Sequence, residues 1–159
     1  MKTRWTWIAA AIGMLGATAW GRDVDYDFVV CSHGRQTVLE SGPNLVALGT
    51  ESWGVVASST TREFDKATTH CVGYLRIVGG KPVGRGLCKW ASLAGDTSIG
   101  EWEMPESGDN SWKFLGGTGA WKGVSSKVAR FTSLGNGKPI EPGTSQGCRR
   151  DWGTYSLPD

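Results

Sequence analysis

Glycine interrupts this chain about every ten residues, and valine, threonine, tryptophan and tyrosine fill most of the space between. Short β-branched and aromatic runs bounded by turn residues at that spacing are the pattern of an antiparallel sandwich or barrel. Of the 24 glycines only Gly13 and Gly16 precede residue 20, and beyond that point no helical periodicity is present. The runs predict strands at Tyr26–His33, Asn44–Thr50, Gly54–Ser58, Thr69–Val78, Arg85–Leu93, Thr97–Met104, Ser111–Leu115, Gly123–Leu134 and Cys148–Ser156. Pro105–Asn110 and Gly135–Ser145 read as loops, and polar Ser59–Ala67 as a short helix or wide turn.

The first 19 residues are of another kind. Lys2 and Arg4 precede an uncharged, mostly apolar run from Trp5 to Ala19, which ends in Ala17-Thr18-Ala19. A basic start, an apolar stretch and a small-x-small exit form a secretory signal, so residues 1–19 are expected to be cleaved before Trp20. A retained anchor would need about 20 apolar residues, and this run is shorter. No cysteine follows it that could take a lipid. The expected product is one domain, residues 20–159, exported to the periplasm or secreted, with no stable membrane span. Cleavage removes two of the 17 basic residues and none of the 15 acidic ones, leaving a formally neutral domain. No basic patch with interleaved aromatics is present, so nucleic acid is not an expected partner. The neighbours Arg149 and Arg150 are expected on a solvated strand edge.

Four cysteines lie beyond the signal: Cys31, Cys71, Cys88 and Cys148. An even count in an oxidising compartment predicts two disulfides. Zinc is the alternative, but there is no C-x-x-C pair and the only histidines are His33 and His70, so no metal and no cofactor is expected. A hairpin centred between Gly79 and Gly80 places Cys71 directly opposite Cys88, at cross-strand distance. Cys31 and Cys148 then form the second bond. It would join the first strand to the last, which are neighbours once a sheet closes on itself.

The most specific local motif is Gly116-Gly117-Thr118-Gly119-Ala120-Trp121-Lys122-Gly123. A phosphate-binding loop would open a helix here, and the downstream residues signal none. A strand-to-strand corner with Trp121 packed beneath it is the expected form. The longer stretch Phe114–Val124 resembles the Gly-Gly-Thr-Gly-aromatic-x-Gly segment of the allene oxide cyclase and dirigent barrel superfamily. It is most similar there to small exported bacterial proteins without a settled function. The cysteine-bearing hairpin, the turn Ala94-Gly95-Asp96 and the closing Gly153–Pro158 fit the same resemblance, which spans Thr69 to Pro158. It implies an all-β, eight-stranded antiparallel barrel of allene oxide cyclase-like, calycin-like form with a central cavity. It does not carry over cyclase residues, because fold alone does not set function.

Candidate chemistry is sparse. Gly143-Thr144-Ser145-Gln146-Gly147 matches G-x-S-x-G, but a nucleophile elbow turns into a helix and a strand is expected here. Glu101 and Glu103 flank Trp102, so alternation puts the glutamates on one face and the tryptophan on the other. If Trp102 packs inward, both glutamates are solvated. If they point inward, Glu101 becomes a candidate acid or base, with Arg76 a second catalytic candidate. Asp96 is explained by its turn without calcium. Trp90, Trp102, Trp112 and Tyr74 are the ligand-binding candidates, with packed core as the competing role for the tryptophans.

Three functions from different classes follow. The leading one is a non-enzymatic barrel holding a small apolar or aromatic molecule in a cavity open at one end. The second is a cyclase or isomerase with a buried carboxylate inside it. The third is a structural or interaction protein with a filled barrel, for which an oligomer is a natural form.

Overall fold

Antiparallel pairing of each strand with the next builds the whole molecule. The structure is a computed structural model describing residues 21–43 and 45–158; the expected signal segment lies outside the described residues. The strands are β1 (Arg22–Ser41), β2 (Leu45–Ser59), β3 (Thr68–Val78), β4 (Lys81–Ala91), β5 (Thr97–Met104), β6 (Ser111–Gly117), β7 (Ser125–Asn136) and β8 (Thr144–Leu157). They run in chain order around a closed eight-stranded barrel, and β8 returns to β1 from Arg22–Leu157 to Arg35–Thr144. The all-β barrel expected from the sequence is present.

The register is also as expected. Cys71 pairs with Cys88 across a hairpin turning at Gly79-Gly80, and Cys31 pairs with Cys148 across the β1–β8 seam. Both pairs are disulfide-bonded, which marks an oxidising environment. One expectation fails: the second and third strands are a single strand, β2. Gly54 marks no turn. A side chain there would meet the Cys31 carbonyl at 2.9 Å and the Ser32 Cβ at 2.9 Å, so its absence lets β1 and β2 run close together.

Up-and-down topology sends alternate connections to opposite ends. The β2–β3, β4–β5 and β6–β7 connections, with the start of β1 and the end of β8, lie at one end, the capped one. The four hairpins β1–β2, β3–β4, β5–β6 and β7–β8 ring the other. The capped end is packed with rings. Phe64 enters from the β2–β3 connection, which is a set of turns rather than a helix. Its ring lies 4.6 Å from Phe28, 5.5 Å from Trp121, 5.6 Å from Tyr26 and 5.8 Å from Trp90. Phe64, Trp90, Trp121 and Tyr155 are fully buried. Trp121 sits beneath the glycine-rich corner, as expected, in the short 3-10 turn Gly119–Trp121. Asp96 holds that corner by accepting the Ala120 N–H at 3.0 Å, so its role is structural.

Candidate functional site

Alternation decides which side chains each strand sends inside. On β8 the buried Tyr155 and Leu157 share parity with Asp151 and Arg149, so all four face inward. On β5 Trp102 is inward while Glu101 and Glu103 are exposed, the solvated arrangement of the two considered. The Trp102 ring lies over Gly73 and Gly86. A Cβ on Gly86 would come within 2.7 Å of the indole, so these inward glycines make the room it fills.

Toward the hairpin end the ring packing stops and a cavity begins. Its main space is about 330 Å³, lined by Ser32, Gln36, Leu75, Pro82, Met104, Phe131, Ser133, Ser145, Arg149 and others. A narrower space of about 170 Å³ reaches Thr50, Ser52, Cys71 and Trp102. The two share Ser32, Gln36, Leu75, Met104, Phe131, Ser145 and Arg149. Leu75, Met104 and Phe131 give an apolar wall, and serines and glutamines give scattered polar groups. That mixture is the usual lining of a small-molecule site. Apolar residues also stand exposed at the hairpin end, among them Val38, Leu39, Val78 and Ile140.

Arg149 lies between the cavity and the packed rings. Its guanidinium lies 5.3 Å from the centroid of Phe131 and 5.8 Å from that of Trp90, within cation–π range. Its Nε donates to Asp151 Oδ2 at 2.9 Å. Asp151 is buried, and its Oδ1 accepts no hydrogen bond. Burial raises the carboxyl's pKa above the usual value, against the opposing effect of the Arg149 charge. Nearby, the Trp112 indole N–H donates to Tyr26 Oη at 2.9 Å. Burial pushes the Tyr26 phenol far above its normal range, so it stays neutral.

Of the four ligand-binding candidates, Trp102 alone lines the cavity. Trp90 and Trp112 are part of the buried core, the competing role given to the tryptophans, and Tyr74 is exposed on the outer face. The catalytic candidates Glu101 and Arg76 are likewise exposed outside, and Glu101 borders a surface groove with Glu103, Arg85 and Lys113. Ser145 lies at the start of β8 on the cavity wall, with strand rather than helix after it. Of the two arginines expected on a solvated edge, Arg150 is there, bonded to Asp27. Arg149 is not: strand parity turns it inside. Sequence reasoning missed Arg149, Asp151, Phe131, Met104 and Leu75. The signal for the first two was their parity with Tyr155 and Leu157. It was obscured because Trp152 stands on the opposite parity. Among the described residues no three His, Cys, Asp or Glu side chains gather as a metal site, and no helix is long and apolar enough to cross a membrane.

Comparison with protein-family models, with curated proteins and with solved structures finds no match to this chain.

Proposed function

We propose that this chain is an exported barrel of the allene oxide cyclase-like type, periplasmic or secreted, that holds a small, largely apolar molecule in its open end. The observation that carries the reading is the cavity itself: a space of about 330 Å³ with Leu75, Met104 and Phe131 on its wall, in a barrel whose other end is filled. A barrel serving only as a scaffold gains nothing by leaving that volume unpacked, because lost contacts cost stability. Two disulfides and the N-terminal signal pattern support export.

One observation favours a second reading, a cyclase or isomerase. Asp151 is a buried carboxylate with raised proton affinity, as a general acid requires. It is not among the residues lining the cavity, however, so contact with a ligand falls to Arg149.

The test is a thermal-shift screen of the oxidised protein against aromatic and apolar metabolites. A ligand at about 100 times its Kd stabilises the folded state by roughly 2.7 kcal/mol. A dose-dependent rise in Tm that Phe131→Ser abolishes is the expected result. No rise with any compound at millimolar concentration would overturn the binding reading.

A further inference from the structure

We propose that the ligand of this cavity carries a single carboxylate on a compact apolar body, and that Arg149 receives the carboxylate. The inference rests on the cavity being a binding site and names the class of molecule it takes.

Arg149 is the one charged residue common to both spaces of the cavity. Glu51 borders the narrower space only, and its carboxylate is bonded to His70 at 2.8 Å. The Arg149 side chain keeps 27% of its exposure while Asp151 keeps 1%. One edge of the guanidinium is therefore tied down, through Nε to Asp151 Oδ2. Its two Nη groups make no hydrogen bond to any described residue. Two rings, Phe131 and Trp90, stand within cation–π range of the guanidinium. A planar fork tied at Nε and flanked by two rings has little freedom to turn its remaining donors. Carboxylates match that geometry with two parallel N–H···O bonds. Little ordering remains to be done on binding, which favours affinity.

Charge selects carboxylate over phosphate. No lysine and no second arginine lines the cavity, and an Asp151 carboxyl lies behind the guanidinium. A dianion would meet one cation with an acid close behind it; a monoanion is matched. Volume selects a compact body. A space of about 330 Å³ lies at the small end of the range for small-molecule sites, which suits a body such as an arylalkanoate. Leu75, Met104 and Phe131 cover its apolar part.

The experiment is titration calorimetry of the oxidised protein with 4-phenylbutyrate, its primary amide, its alcohol and phenyl phosphate. The expected result is that the acid binds at least about tenfold more tightly than amide or alcohol, as one charge-assisted pair implies. Arg149→Gln should remove that preference, lowering acid affinity to about that of the amide. The acid–amide comparison on the unaltered protein decides the matter even where Arg149→Gln fails to fold. Equal binding of acid, amide and alcohol would overturn the carboxylate assignment and leave the cavity reading standing. Tighter binding of phenyl phosphate than of the acid would overturn it equally. No binding of any of the four at millimolar concentration would overturn the assignment together with the binding reading.

Discussion

The two ends of this barrel are held together by different means. At the capped end Phe64, Trp90, Trp121, Tyr26, Phe28 and Tyr155 pack ring against ring, and the buried Cys71–Cys88 bond adjoins Trp90 in the same core. At the hairpin end the core gives way to a cavity, whose narrower space reaches down to Cys71, while the Cys31–Cys148 bond, with Cys148 on the parity of Arg150, lies on the outer face of the β1–β8 seam. Full burial of one large apolar side chain contributes about 1.5 to 3 kcal/mol, and a cavity gives up several such contributions. A cross-link restores stability without filling space, because it restricts the unfolded chain. A barrel that must hold both a space and a shape can therefore divide the tasks between packed rings, which fill one end, and cross-links, which tie the strands.

Removing the seam bond tests that division most severely. The Cys31–Cys148 bond spans 117 residues, and its replacement by two serines is expected to cost about 4 to 5 kcal/mol in denaturant unfolding. The Cys71–Cys88 bond spans 17 residues, and its loss should cost about 3 kcal/mol. Equal losses would show that strand register, not loop closure, sets their worth. The next contrast compares the ends directly. Phe64→Ala opens a hole among packed rings and should cost about 3 to 4 kcal/mol. Met104→Ala, on the partly buried cavity wall, should cost under about 2 kcal/mol. Similar costs would mean that the cavity end is as tightly packed as the other.

The smallest effect develops across a pH window. The folded-state pKa of Asp151 lies above 3.8, so between 3.8 and the raised value the folded protein binds a proton that the unfolded chain releases. Stability contributed by the protonated group is full below that window and is lost as pH rises through it. Asp151→Asn removes this loss: variant and wild type should match near pH 3.8, and the variant should gain relative stability above it. Asp23 and Asp27, held below their usual range by Lys127 and Arg150, act in the opposite sense. They are common to both proteins, so the difference between two unfolding curves isolates Asp151. A difference independent of pH would mean that the Asp151 carboxyl has the same pKa in the folded and unfolded chain.

The parts legible in the sequence are those set by short-range geometry. The Cys71–Cys88 register needs only a hairpin and its turn. The corner over Trp121 needs only glycines between strands. The opposite facing of Trp102 and of Glu101 and Glu103 needs only alternation along β5; that Trp102 is the inward one was decided by the barrel. The cavity was not legible, because each of its elements depends on a distant partner. Phe64 lies in a polar connection, and nothing local says that its ring enters the barrel. The register shifts between Val29 and Val30 on β1, and between Ser126 and Val128 on β7, so parity on one strand does not carry to its neighbour.

From the sequence alone came the class and the redox environment: glycine spacing and β-branched content dictate strands, and an even set of four cysteines in strand register points to an oxidised domain. Only the tertiary structure decided which end is filled, and that Arg149 and Asp151 lie inside rather than on an edge. Composition and local periodicity act on neighbouring residues. A cavity exists only where eight strands meet, and its charge is set by the closing of β8 against β1, which joins residues more than a hundred positions apart.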